Sequence, residues 1–93
     1  MARITVTHES GDEYLVEVRE VGGSTRHAVR VDAAALDRFG GGVTAERLLE
    51  ESFGFLLERE PKEAILRRFE ISVIGRYFSE YAGEIRRRLS TAE

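Results

Sequence analysis

Two histidines, a glycine triplet, a run of carboxylates and an arginine-bearing segment are the parts of this chain whose residue types and spacing bear on chemistry. Imidazole is the commonest metal ligand and the commonest general base, so His8 and His27 come first. Setting apolar residues opposite apolar ones across the N-terminal strands gives the rows Ile4–Val18–His27, Val6–Val16–Val29 and His8–Tyr14–Val31. Both histidines then point to the apolar face, on the two outer strands and at opposite ends. Two strand spacings and two rows separate them by roughly 16 Å, too far to share one ion. Each reads as a sheet-rim residue. His8 has Glu9 and Asp12 nearby, but in a turn, where acidic residues are expected in any case.

The remaining groups are weighed the same way. Gly40-Gly41-Gly42 precedes a helix, as a phosphate-cradling loop does. No strand enters it directly and no lysine follows at the Walker spacing, so it reads as a connector. Glu46, Glu50, Glu51, Glu58 and Glu60 mostly interleave with apolar residues at helical spacing, as on a solvated helix surface. The sharpest signal is at 62–78, which superficially resembles a degenerate helix-turn-helix. It has an apolar first helix, a turn at Ile71-Ser72 and an Arg76-Tyr77 pair beyond. Arg67, Arg68 and Arg76 are its candidate nucleic-acid contacts. Glu70 stands where such turns usually carry glycine, and the next apolar residue arrives about two positions early. Phe55, Tyr77 and Tyr81 are the candidate protein-interaction patch: Tyr77 and Tyr81 as aromatics of the last helix, Phe55 from a 45–59 helix whose apolar face is wider than one contact surface needs.

The elements that hold these residues follow from periodicity. Ile4 and Val6, then Tyr14, Val16 and Val18, then Val29 and Val31 alternate with polar neighbours, marking three strands. Glu9–Asp12 and Val21–Ser24 are the turn clusters between them, so an antiparallel meander is expected. Asp32 and Thr44 are suited to capping helices over 33–38 and 45–59. The second of these carries Leu48, Leu49, Phe53, Phe55, Leu56 and Leu57 over about 200° of its surface, which makes it central. Pro61 suits the first turn of a third helix with Ala64, Ile65, Leu66 and Phe69. Beyond a joint at Ile71-Ser72, a last helix runs over 73–89, with Arg86–Arg88 where positive charge complements the dipole.

Composition narrows the class. Ninety-three residues, 42% of them apolar, make one folded domain of 1–93, with a β-meander at 1–32 and a helical layer at 33–93. There are no cysteines, which excludes disulfides and thiolate metal sites. Fourteen basic against 17 acidic residues give a net charge of −3, which does not favour a general polyanion binder. Lys62 is the only lysine. The N-terminus alternates rather than forming a long apolar run, so neither a signal peptide nor a membrane span is expected.

The string Glu50-Glu51-Ser52-Phe53-Gly54-Phe55-Leu56-Leu57-Glu58-Arg59-Glu60-Pro61-Lys62-Glu63-Ala64-Ile65-Leu66, continuing through Phe69, Ile74, Tyr77-Phe78 and Tyr81, resembles a group of small uncharacterised prokaryotic proteins. The resemblance spans about 46–89. It implies a bacterial or archaeal origin and carries no activity or site residue with it. The expected protein is thus an α+β domain, a three-stranded antiparallel meander followed by three to four helices. Its expected setting is cytoplasmic. It is expected to be a non-catalytic interaction or regulatory domain, not an enzyme, with no cofactor, no metal and no membrane contact. A protein partner or self-association is left open. The alternative is a DNA-binding regulator using the 62–78 segment.

Overall fold

Two hairpins open the chain. In the computed structural model, which describes residues 2–91, β1 (Arg3–Ser10), β2 (Glu13–Glu20) and β3 (Gly23–Arg30) form an antiparallel meander. The ends of the expected domain, residues 1, 92 and 93, lie outside the described residues. The β1–β2 register is the expected one: Ile4 faces Val18, Val6 faces Val16 and His8 faces Tyr14. The β2–β3 register differs by two residues. Val18 faces Thr25, Val16 faces His27 and Tyr14 faces Val29. The expected rows require a four-residue loop, Val21–Ser24. The chain turns in two residues instead, closed by the Glu20–Gly23 pair, with Gly22 at φ 101°, where only glycine is comfortable. A shift of two keeps every side chain on its expected face. It also places two polar residues in the core, Thr25 and His27, which bond to each other.

The meander is not the whole sheet. A fourth strand, β4 (Arg68–Glu70), lies parallel to β3, in the order β1-β2-β3-β4. The Arg67 carbonyl accepts from Ala28 N–H at 2.8 Å, and the Arg30 carbonyl accepts from Ile71 N–H at 3.0 Å. The third helix expected after Pro61 is therefore absent. Only one 3-10 turn forms there, at Lys62–Ala64. The pattern from Arg68 to Ile71 has period 2: Arg68 and Glu70 are exposed, Phe69 is half-buried and Ile71 is buried. Three residues are too few for that pattern to stand out against the helical spacing of Ala64, Ile65 and Leu66. A parallel strand also needs a long crossover, supplied here by the helices between β3 and β4.

Those helices begin with α1 (Ala33–Ala35), capped by Asp32 and widening into a π-type turn over Leu36–Gly40. Then comes α2 (Ala45–Leu57), capped by the Thr44 hydroxyl. Helix α2 lies over the sheet at β1 and also packs on α4 and on the Leu36–Gly40 turn, so its wide apolar face is consumed by three neighbours. The expected helix over 73–89 is broken into α3 (Val73–Tyr77) and α4 (Tyr81–Thr91). Phe78 is extended at the break, and Ser79 follows it, a residue that favours helix ends over interiors. The break lets Phe78 and Tyr81 both meet the Phe55 ring, at 5.8 and 5.3 Å. No helix among the described residues is long and apolar enough to cross a membrane.

Candidate functional site

The residues proposed for nucleic-acid contact do not gather on one face. Arg68 stands opposite Ala28 on the uncovered face of the sheet. Arg67 precedes it, and its charge acts on His27 and Glu63 on the helix side. Arg76 belongs to α3, a helix of five residues. The two-helix motif at 62–78 is not formed, because its first helix is replaced by the 3-10 turn and β4. Arg87 and Arg88 are engaged with Glu84, and Arg88 also reaches Glu58. The hydrogen bond from Arg88 is the main cause holding the Glu58 carboxyl below the usual carboxylate range.

The expected interaction patch also separates. Phe55 and Tyr81 are fully buried, and Tyr77 alone is exposed, at 69%. The Arg59 guanidinium lies 3.6 Å above the Phe55 ring, donates to the Phe55 carbonyl at 3.0 Å and reaches Glu80 at 3.1 Å, so Phe55 is roofed by a fixed cation. Tyr81 packs on Phe39 and Phe55 and shares a 2.7 Å hydrogen bond with the Ser52 hydroxyl. Burial pushes its phenol up to about 12. Both aromatics are core, as helix stripes usually are.

The histidines are placed by the corrected register. His27 sits on an interior strand because β4 covers β3. His8 lies exposed at the rim, its ring 4.7 Å from Tyr14, and its Nε2–H donates to the Gly11 carbonyl at 2.8 Å. The same spacing argument now separates them by about 12 Å, still too far for one ion. Among the described residues no cluster of His, Asp and Glu could hold a metal.

His27 is fully buried, and both ring nitrogens are used. Nδ1–H donates to the Leu66 carbonyl at 2.8 Å, so Nε2 is the acceptor and takes the Thr25 hydroxyl proton at 2.8 Å. The neutral tautomer satisfies every group. Burial, and secondarily the Arg67 charge, hold its pKa below the ordinary 6.5, against the opposing pull of the Leu66 bond. The ring packs 5.2 Å from Phe53. His27 is thus a strut between β3 and the segment that enters β4.

A second strut stands beside it. Lys62 is 7% exposed, and its Nζ reaches Glu20 and Glu63, each at 2.9 Å. Those two carboxylates hold the ammonium above the ordinary lysine value. The only lysine of the chain ties the 3-10 turn to the end of β2.

An open cleft of about 320 Å³ lies between the end of α2, the 3-10 turn, β4 and α3, with Leu66, whose carbonyl His27 holds, on its lining. Leu56, Ile65, Phe69 and Ile74 form its apolar walls, and Leu66 and Tyr77 stand at its rim. Leu66 is 46% exposed, although Ile65 beside it is buried. Glu60 lines the same cleft, and burial raises its pKa. The titratable side chains of the lining are Glu60 and Tyr77, an arrangement suited to holding an apolar group beside a cation. The sequence had marked Tyr77 but neither Leu66 nor Glu60. In the sequence Leu66 falls on a helix stripe that does not form, and Glu60 reads as part of a solvated helix face.

Comparison of the chain with protein families, with curated proteins and with solved structures finds no match.

Proposed function

We propose that this protein is a non-catalytic interaction domain that receives an apolar anchor side chain of a partner polypeptide in the cleft between α2, β4 and α3. The observation that carries the reading is the cleft itself, with apolar walls, two exposed apolar rim residues and one partly desolvated carboxylate. Exposed apolar surface of this kind is retained against solubility where something covers it. Glu60 gives the occupant a chemical character: a Leu, Phe or Trp anchor with a Lys or Arg close by. Its carboxyl, already disfavoured as a charge by burial, gains most from such a cation.

A displayed library of linear peptides selected on the immobilised domain tests this. Enriched peptides are expected to carry an apolar anchor with an adjacent cation. They should lose at least about tenfold in affinity for Leu66→Ser and Tyr77→Ser, two surface changes that leave the melting transition in place. Glu60→Gln is expected to weaken cation-bearing peptides and to spare those without one. Enriched peptides that bind both serine variants as tightly as the original overturn the reading.

A further inference from the structure

Among the described residues no strand pairs with the outer edge of β1. β1 ends the sheet order and bonds along one side only, to β2. The phase of the ladder is fixed by Val31 N–H, which donates to the Asp12 carbonyl at 2.9 Å. Along β2 the backbone groups of Tyr14, Val16 and Val18 therefore aim at β3, and those of Leu15, Glu17 and Arg19 aim at β1. Their β1 partners are Thr7, Thr5 and Arg3. These three bond to β2, and Ile4, Val6 and His8 turn N–H and C=O outward.

Natural edge strands are usually blunted by proline, lysine, a bulge or an inward-pointing charge. From Ile4 to Thr7 this strand has none of these. Its one irregularity, between His8 and Ser10, comes after the regular stretch. Ile4 and Val6 lean toward the core yet stay half-exposed.

We propose that β1 pairs antiparallel with β1 of a second copy about a two-fold axis through Val6, joining two four-stranded sheets into one of eight strands. The side chains choose that register. With the axis at Val6, Ile4 stands opposite His8 and Val6 opposite its own copy, and these are the residues whose backbone groups are free to bond. On the uncovered face Thr5 stands opposite Thr7, and Arg3 comes level with Glu9 of the second copy, at the irregularity that follows His8. The opposite charges of Arg3 and Glu9 are thereby brought to the same end of the contact, and no like charges face each other. Moving the axis to Thr5 sets Arg3 against Thr7. Moving it to Thr7 sets Arg3 against Gly11 and Thr5 against Glu9. Both leave the charges unmatched. Because paired residues share parity, the two helical layers fall on the same side of the joined sheet. Ile4 and Val6 of each copy then gain apolar neighbours across the axis. The contact is isologous, as a two-fold requires, and it closes both β1 edges.

Sedimentation velocity on the full chain over a wide concentration range tests the proposal. The mass is expected to rise from one to two copies as concentration increases. Arg3→Glu sets Glu against Glu9 and should weaken the dimer at least about tenfold. Arg3→Glu combined with Glu9→Arg restores the opposite pairing and should recover the original dissociation constant. Val6→Pro removes an outward N–H that no bond among the described residues uses, and should leave a folded monomer. If that variant does not fold, the charge exchange alone still decides. A wild-type chain that stays monomeric at the highest concentration overturns the proposal. So does a dimer indifferent to Arg3→Glu, or one that the double exchange fails to restore.

Discussion

Replacing His27 by leucine examines the strut that holds the Leu66 carbonyl beside the cleft. The substitution keeps an apolar volume against Phe53 and removes both ring nitrogens. Two groups lose their partner: the Thr25 hydroxyl, in a residue 5% exposed, and the Leu66 carbonyl at the cleft rim. An orphaned buried hydroxyl costs about 1–3 kcal/mol, and the lost bond to a partly solvated carbonyl adds about 1, so His27→Leu should destabilise by about 2–4 kcal/mol. Adding Thr25→Val removes the orphaned hydroxyl and should recover about 1 kcal/mol. Denaturant titration of the three variants measures these differences. Hydrogen exchange adds a local readout, since the Ala28 and Ile71 amides make the bonds that join β3 to the β4 segment that His27 holds, and should exchange faster. The pH dependence has a definite sign. The folded pKa of His27 lies below 6.5, so the unfolded chain binds a proton first as pH falls. The stability associated with neutral His27 is complete above pH 6.5 and declines as pH drops below it. His27→Leu should lose that decline. A cost under about 1 kcal/mol, unchanged exchange at Ala28 and Ile71, or an unchanged acid slope would refute the strut.

Two further perturbations test other parts of the fold. Tyr81→Phe and Ser52→Ala should each cost about 1–2 kcal/mol, and the double variant clearly less than their sum, because each single change orphans one buried hydroxyl and the double removes both. A denaturation cycle that is additive within about 0.5 kcal/mol contradicts this. Since the Tyr81 phenol lies at about 12 in the folded protein against 10.0 ordinarily, stability should fall as pH rises past 10, and Tyr81→Phe should flatten that alkaline decline. Glycines separate by backbone: Gly41→Ala should cost about 1–2 kcal/mol, because Gly41 sits at φ 58°, whereas Gly75→Ala, in α3 with open space around it, should stabilise by about 0.5–1 kcal/mol. Thermal melts of the two variants moving in the same direction would count against the backbone argument.

Much of the fold was legible because it depends on local patterns. Three strands announced themselves by alternation, and a one-residue error there would have turned buried residues to water. Asp32 and Thr44 marked helix starts, and both side chains cap in the structure. The breadth of the α2 apolar face foretold a central helix, and three packing neighbours consume it. The same pattern misled at Phe55 and Tyr81. Periodicity shows that a residue faces something apolar, but not whether that is the protein's own core or a partner.

The sequence by itself determined that His27 would face inward. It did not determine what His27 would do there. That depended on two events remote in the chain: a turn at Val21-Gly22 that set Val16 opposite it, and the arrival of the Leu66 carbonyl from 39 residues away. Likewise the carboxylate of Glu60 and the side chains of Leu66 and Tyr77 became one cleft only when the 65–71 segment left the helical layer to join the sheet. Local propensity could not foresee that, because the stabilisation of β4 comes from pairing with β3 and burying Phe69 and Ile71, contacts that exist only in the assembled fold. The outer β1 edge is the opposite case. Its alternation and its charges at Arg3 and Glu9 stand in the sequence, and only the order of the strands made it an edge.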